Sequence, residues 1–175
     1  GLNDEDHYTS AYDMALITQA AIQNPTFVEI SGSRTYRLYG LKRVSAEEFP
    51  NGYPIANHHQ MCMKNTAVYY PGAFCGKTGY TSLAGNTLVT CAERNGMTLI
   101  AVVLNGHQTH YSDTKALFDF GFDNFQSLRV ADYETKYTSI TNDMLIGGIP
   151  SGEGISLTLS QADSITIPKA AAFSD

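Results

Sequence analysis

Residues 7–22 place apolar and polar side chains with the period of a helix. One stripe of this pattern consists of Tyr12, Ala15, Leu16, Gln19 and Ala20. Ser10 and Asp13 have the spacing of a capping box, although three residues of the same pattern precede Ser10. Pro25 marks the end of the pattern. We therefore predict a helix over residues 7–22.

Residues 86–105 carry the clearest strand pattern in the chain. Two β-rich runs, residues 87–92 and 97–104, flank a turn that contains Asn95 and Gly96. Asn-Gly between such runs is a strong signal for a β-hairpin. In the second run, apolar residues occupy positions that face both sides of a strand. We therefore expect a central strand of the sheet that is covered on both faces. A short strand is also predicted within residues 35–39.

The next segment has the pattern of a further helix. Ser112, Asp113 and Thr114 form a good helix start, with Ser112 at the N-cap position, and apolar residues follow to Phe125. Helix, hairpin and helix together predict an α+β fold, an antiparallel sheet with helices on its faces. From about residue 126 the pattern changes to short alternating segments separated by Gly and Asp. We predict a first domain over residues 1–125 and part of a small β-rich domain over residues 126–175.

Composition and charge exclude several classes of protein. The chain has 175 residues, 43% of them hydrophobic and 16% charged, which is ordinary globular composition. A formal net charge of −6 without clustered Lys and Arg argues against nucleic-acid binding. The longest apolar run, residues 99–104, is far too short to span a membrane. No signal peptide follows Gly1, so we expect any leader to lie outside this sequence.

The cysteines and histidines do not predict a metal site. The chain has an odd number of cysteines, without CxxC spacing: Cys62, Cys75 and Cys91. We interpret Cys75 as a small buried hydrophobe. The four remaining candidate ligands are interpreted as solvated loop histidines because no carboxylate accompanies them: His58, His59, His107 and His110. We expect no metal and no cofactor.

The sharpest chemical motif is Gly76-Lys77-Thr78-Gly79-Tyr80-Thr81, directly before the predicted hairpin. Lys-Thr-Gly is one of three signatures of the penicillin-recognising serine enzymes; the other two are Ser-x-x-Lys and a Ser-x-Asn type. An edge strand at this position could present backbone groups to an extended peptide. A solvent-facing Lys and Thr at a strand start is the alternative interpretation of the tripeptide alone.

Three longer strings carry a family resemblance. They are YTSAYDMALI at residues 8–17, GKTGYTSLAGNTLVTCAERNGMTLIAVVLNG at residues 76–106, and YSDTKALF at residues 111–118 followed by GFDNF. In order and spacing, over residues 1–125, they resemble the serine D-alanyl-D-alanine carboxypeptidases, low-molecular-weight penicillin-binding proteins of the peptidase S11 type. The resemblance implies a β-lactamase/transpeptidase-like remnant, the C-terminal part of that catalytic domain.

The resemblance also implies roles for the motif residues. Lys77 would be catalytic, placing a fixed positive charge near the substrate carboxylate and the proton network of the nucleophile. Thr78, Gly79, Tyr80 and Thr81 would bind substrate: Thr78 with its hydroxyl, Gly79 by allowing close approach, and Tyr80 with an oxyanion-hole N–H. The substrate would be a peptidoglycan stem peptide, cleaved through an acyl-serine intermediate, with β-lactams as acylating ligands. The location implied is extracytoplasmic, in the cell envelope.

Two of the three signatures are not found in this sequence. Ser112 and Lys115 alone have Ser-x-x-Lys spacing, but they follow Lys77 instead of preceding it, and no serine has Asn two residues on. We therefore expect the nucleophile to lie outside this chain and the isolated chain to be inactive. His110 stands where the family commonly has Arg, and it could assist carboxylate binding only when protonated.

Two alternatives from other classes remain at this point. One is a β-lactamase of the same superfamily, against which the β-rich tail argues, since such enzymes usually end at the closing helix. The other is a non-catalytic fragment or binding module. We also expect the apolar strand at residues 97–104 to need cover from a partner, either the missing N-terminal half or another copy of the chain. That contact should bury more than about 1,000 Å².

Overall fold

The computed structural model describes residues 3–45, 47–133 and 163–171, together with the backbone of four two-residue strands between them. The chain divides into two compact units. The first comprises residues 1–94 and 98–121, and the second comprises residues 95–97 and 122–175. The predicted domain boundary after residue 125 stays a prediction.

The first unit begins with two helices, α1 (Ala11–Ala21) and α2 (Pro25–Gly32). Ser10 caps α1 through a complete capping box: its hydroxyl accepts from the Asp13 N–H, and the Asp13 carboxylate accepts from the Ser10 N–H. The helix therefore starts four residues later than its apolar pattern predicts, because the cap satisfies the free N–H groups at residue 10. Asn24 caps α2, with Pro25 at its first position.

Two antiparallel sheets follow in this unit. Strands β1 (Thr35–Leu38) and β2 (Tyr53–Ala56) pair with each other. Strands β3 (Ala73–Thr81), β4 (Gly85–Arg94) and β5 (Met97–Gly106) form a three-stranded sheet in the order β3-β4-β5. The α+β fold with an antiparallel sheet and helices is confirmed.

The predicted hairpin between β4 and β5 is also confirmed. Asn95 and Gly96 form its turn with φ values of 53° and 74°. A two-residue turn with both φ values positive matches the right-handed twist of the flanking strands, and Asn followed by Gly adopts it at least cost. The prediction that residues 97–104 form the central strand is wrong for the described sheet. Here β4 is central and β5 is an outer strand, because no described strand pairs with its far edge. Five of the ten β5 residues are half-buried.

Helix α3 (His110–Asn124) follows the sheet and runs from the first unit into the second. The Thr109 carbonyl accepts the Asp113 N–H at 2.8 Å, and the Thr109 hydroxyl donates to the Asp113 carboxylate at 2.7 Å. Thr109 thus occupies the position predicted for Ser112. Ser112 lies inside the first turn, where its hydroxyl donates to the Thr109 carbonyl at 2.8 Å.

The core of the first unit lies around the middle of the sheet. Leu88 and Cys91 of β4 are fully buried, as is Cys75 of β3, which confirms its interpretation as a buried hydrophobe. The Tyr70 and Phe118 rings lie 5.1 Å apart. Tyr70 also donates its hydroxyl hydrogen to Asp119 at 3.0 Å and accepts from Arg94 at 3.0 Å, which fixes α3 to the end of β4.

The second unit contains short strands, as its alternating pattern predicts. Strand β6 (Phe125–Arg129) pairs antiparallel with β11 (Ser164–Pro168). The backbone between them contains two further antiparallel pairs: β7 (Ser139–Ile140) with β10 (Leu157–Thr158), and β8 (Leu145–Ile146) with β9 (Ile149–Pro150). Lys169 follows β11, and its Nζ donates a hydrogen bond to the Phe122 carbonyl oxygen at 2.8 Å.

Candidate functional site

The Lys-Thr-Gly motif lies on β3, the outer strand of the described sheet opposite to β5. Lys77, Gly79 and Tyr80 are exposed, whereas Thr78 and Thr81 are half-buried. Lys77 Nζ donates to the Thr78 carbonyl at 2.6 Å, so its charge lies close to its own strand. An outer strand directs alternate N–H and C=O groups away from its partner, which leaves them free to bind an extended peptide.

An open groove of about 880 Å³ runs along this part of β3. One wall is the motif strand with the turn that follows it, and the other is the segment before α1. The lining residues are Asn3, Asp4, Glu5, His7, Tyr8, Thr9, Lys77, Thr78, Gly79, Tyr80, Thr81, Leu83, Ala84 and Thr87. All five predicted site residues are therefore brought together at one groove.

The segment of residues 3–9 also lines this groove, which was not predicted from sequence. Asn3 accepts a hydrogen bond from the Thr81 hydroxyl at 2.8 Å, which ties the segment to the end of β3. Asp4 and Glu5 bring carboxylates into the same groove as the Lys77 ammonium, so the groove carries charges of both signs. No motif marks these residues; their position before the capped helix was the one available signal.

The side chains of the motif point to two faces of the sheet. Since side chains alternate along a strand, Lys77, Gly79 and Thr81 share one face, and Thr78 and Tyr80 share the other. Gly79 also has a structural reason to lack a side chain, because a Cβ there would lie 2.5 Å from Thr87 Oγ1 on β4. The groove is nevertheless lined by both Lys77 and Thr78, so the motif can act on a ligand through the strand's backbone, the Lys77 charge and the Thr78 hydroxyl.

His59 packs against the motif strand, and the sequence-based interpretation of its environment is wrong. It is fully buried, not solvated as predicted, and its Nε2 lies 2.9 Å from Thr90 Oγ1 on β4. Gly76 makes room for it: a Cβ on Gly76 would lie 2.7 Å from His59 Nε2 and 2.2 Å from the Val89 carbonyl oxygen. His59 therefore packs directly behind the residue that precedes Lys77.

Both ring nitrogens of His59 have polar neighbours. Nε2 lies 2.9 Å from Thr90 Oγ1. Nδ1 lies 3.3 Å from the Cys62 sulfur. Burial lowers the pKa of His59 below its ordinary value of 6.5. Two backbone hydrogen bonds oppose this shift, and the Lys77 charge, the smallest of these effects, adds to it.

The lowered pKa of His59 predicts a loss of stability in mild acid. Unfolded His59 takes up a proton near pH 6.5, whereas folded His59 does so only at lower pH. The unfolded state therefore binds more protons in this window, and the free energy of unfolding falls as pH drops from about 6.5 towards the folded pKa. Urea melts at a series of pH values should show this slope in the wild type and a reduced slope in His59→Gln.

His58 provides the matched control for that experiment. It precedes His59 but is exposed, so His58→Gln should retain the full pH dependence. Equal slopes in the wild type and both variants would mean that His59 is not a buried neutral group.

Two other candidate residues lie away from the groove. His110 is the first residue of α3, half-buried, with its ring 4.4 Å from that of Tyr111, and it is not among the groove's lining residues. It is therefore neither a solvated loop histidine nor a groove residue. Ser112 donates to the Thr109 carbonyl, and Lys115 forms an ion pair with Asp119. Both residues with Ser-x-x-Lys spacing in α3 therefore have their polar groups bonded to partners at or within the helix.

Metal ligands do not converge in the part of the chain that the structure describes. Among those residues, no group of three or more His, Cys, Asp or Glu side chains could hold an ion. Within the same residues, no helix has the length and apolar character needed to cross a bilayer.

Comparison with known proteins gives a consistent family assignment. Residues 1–108 match the family model described as D-alanyl-D-alanine carboxypeptidase. The chain is 31% identical over 121 residues to D-alanyl-D-alanine carboxypeptidase DacB2 of Mycobacterium tuberculosis, covering 65% of this chain and 36% of that protein. It is 29% identical over 131 residues to DacA of Escherichia coli, covering 73% of this chain and 28% of that protein.

The solved structures agree with the sequence relatives. Penicillin binding protein 5 from Haemophilus influenzae matches with a TM-score of 0.67 and 26% identity, covering 97% of this chain and 44% of that chain. The D-alanyl-D-alanine carboxypeptidase from M. tuberculosis matches with a TM-score of 0.51 and 30% identity, covering 66% of this chain and 40% of that chain. The chain spans about a third of the length of the curated relatives it matches. It belongs to the D-alanyl-D-alanine carboxypeptidase family.

Proposed function

We propose that this chain supplies the Lys-Thr-Gly strand of a serine D-alanyl-D-alanine carboxypeptidase that trims peptidoglycan stem peptides. The observation that carries the proposal is the placement of Lys77–Thr81 on an outer strand beside an open groove. A stem peptide would lie along β3 as an added strand, with its terminal carboxylate near Lys77 and the Thr78 hydroxyl. Its activity is extracytoplasmic in this proposal, at the cell envelope.

In this proposal the reaction uses groups of this chain together with a nucleophile that this chain does not supply. A serine from a Ser-x-x-Lys segment attacks the carbonyl of the penultimate D-Ala and forms an acyl-serine, and the terminal D-Ala leaves with a proton. The Tyr80 N–H is one oxyanion-hole donor, an interaction whose loss costs about 3 kcal/mol of barrier. Lys77 stabilises the negative charge that develops beside it. A β-lactam reacts at the same serine by opening its ring.

Release of D-Ala tests this function. A protein that joins this chain to a preceding segment with Ser-x-x-Lys and Ser-x-Asn should release D-Ala from a peptide ending in D-Ala-D-Ala. Replacing the serine of Ser-x-x-Lys by Ala should abolish the release. D-Ala release that persists in that variant would exclude an acyl-serine mechanism.

We propose in addition that the first unit binds a partner surface, either the N-terminal half of the protein or another copy of this chain. Several large side chains on α1, α2 and the segment before them are exposed: Tyr8, Tyr12, Ile17 and Ile30. The far edge of β5 is unpaired among the described strands. Such exposed groups are typical of an interaction site.

Sedimentation velocity tests this expectation directly. The purified chain should sediment as a dimer or a larger assembly, or with a co-purified N-terminal fragment. Co-expression with an N-terminal fragment should shift it to a one-to-one complex. A monomer that melts cooperatively without any partner would contradict the proposal.

A further inference from the structure

Cys75 and Cys91 face each other across the two strands that carry the motif. They are directly opposite in the register of β3 and β4, and both are fully buried. Both thiols are free. Opposite residues of antiparallel strands have Cα atoms about 4.5–5.5 Å apart, which lies within the range of about 4.4–6.8 Å that a disulfide spans.

The two thiols have unequal acidity. The interaction between the two side chains is the largest cause that lowers the pKa of Cys75 and raises that of Cys91. Burial opposes the first shift, and the side chain of Ser31 on α2 supports it. One thiol that ionises more readily beside a partner that stays protonated is the arrangement of an attacking and a resolving cysteine.

The element that covers Cys75 is a short helix with no fully buried residue. Helix α2 packs on β3 at this point, so closely that a Cβ on Gly32 would lie 2.3 Å from the Phe74 carbonyl oxygen. Yet α2 has only eight residues, and none of them is fully buried. A helix this short has little stability of its own, so its local opening should expose Cys75 without unfolding the sheet.

We propose that Cys75 and Cys91 are a redox-active pair, which a small organic disulfide such as glutathione disulfide oxidises to a cross-strand disulfide. The Cys75 thiolate attacks one sulfur of glutathione disulfide, forms a mixed disulfide and releases one glutathione thiolate. Cys91 then loses its proton and attacks the Cys75 sulfur, and the second glutathione leaves as a thiolate. Two protein thiols are oxidised and one glutathione disulfide is reduced to two thiols.

Oxidation of this pair has a consequence for the groove. Opposite Cβ atoms lie about 4.5–5.5 Å apart, whereas a disulfide needs about 3.5–4.5 Å, so β3 and β4 must draw together at Cys75. Lys77 lies two residues further along the same face of β3, and its ammonium should therefore shift. This consequence for catalysis rests on the proposed function; the thiol chemistry does not.

Cys62 provides an internal control. It is half-buried and therefore more accessible than the pair, but burial raises its pKa to about 12. Its sulfur also lies 3.3 Å from His59 Nδ1. It should remain a thiol under conditions that oxidise the pair.

The test is disulfide mapping on the chain itself, without any activity measurement. The folded chain is incubated with glutathione disulfide, the remaining thiols are blocked with N-ethylmaleimide, and the digest is examined by mass spectrometry. We expect a linked peptide containing Cys75 and Cys91, with Cys62 alkylated; Cys62→Ser should give the same link. Three alkylated cysteines, a link through Cys62, or a lasting glutathione adduct on Cys75 would each overturn the proposal. The wild-type map decides alone, even where Cys75→Ser or Cys91→Ser fails to fold.

Discussion

Replacing Lys77 by Ala should lower the rate of acylation by penicillin at least about 100-fold in a protein that joins this chain to its nucleophile segment. The expected size is that of a fixed charge removed from beside a developing oxyanion. The melting temperature should hardly change, because Lys77 is exposed and its hydrogen bond goes to a neighbouring carbonyl on its own strand. Stopped-flow or quenched-flow acylation with a chromogenic β-lactam measures the rate.

Lys115 is the matched control for Lys77. It is also a Lys in an exposed position, and it follows Ser112 with Ser-x-x-Lys spacing, but its ammonium is paired with Asp119. Lys115→Ala should leave acylation unchanged and cost about 0.3–0.5 kcal/mol of stability, as for other exposed helix ion pairs. An unchanged rate in Lys77→Ala, or a large loss in Lys115→Ala, would reject the role assigned to Lys77.

Replacing Gly76 by Ala should damage both stability and acylation. The added Cβ would lie 2.2 Å from the Val89 carbonyl oxygen and 2.7 Å from His59 Nε2, so β3 must move away from β4 and from His59. Overpacking of this kind costs about 1–3 kcal/mol, or roughly 2–12 °C in melting temperature for a chain of this size. Because Lys77 is the next residue, a displacement of about 1 Å should slow acylation on the order of 100-fold.

Gly96→Ala is the control variant that distinguishes the clash at Gly76 from the general effect of replacing a glycine. A Cβ on Gly96 would meet nothing within 4 Å, although its φ of 74° disfavours Ala. Gly96→Ala should therefore cost about 1–2 kcal/mol and leave the acylation rate of the folded protein unchanged. Equal acylation in Gly76→Ala and the wild type would show that the support behind β3 does not position Lys77.

The elements that could be predicted from sequence are those specified by short-range chemistry. Asn95 and Gly96 adopt the positive φ values that their turn needs, so the hairpin was predictable from two residues. The hydrogen bonds between Ser10 and Asp13 likewise involve residues three apart. The motif at Lys77–Thr81 was recognisable by resemblance, and its position on a strand before a hairpin followed from the pattern.

The features that could not be predicted depend on contacts between distant parts of the chain. His59 is buried because it packs against Thr90 of β4, which is 31 residues away in sequence but adjacent in space, and a histidine in a polar stretch carries no such signal. The groove wall formed by residues 3–9 depends on a contact between Asn3 and Thr81. Strand β5 is apolar at nearly every position, and an apolar run specifies that a strand needs cover without specifying which strand pairs with it.

The most direct test of the account is the site at which penicillin attaches. A protein that joins this chain to a preceding Ser-x-x-Lys segment is incubated with penicillin G, and the adduct is located by intact-mass and peptide mass spectrometry. We expect one adduct per chain on the serine of that segment, and none when residues 1–175 are treated alone. An adduct on Ser112, or a folded joined protein that acquires no adduct, would contradict the claim that this chain supplies the Lys-Thr-Gly strand of an acyl-serine enzyme.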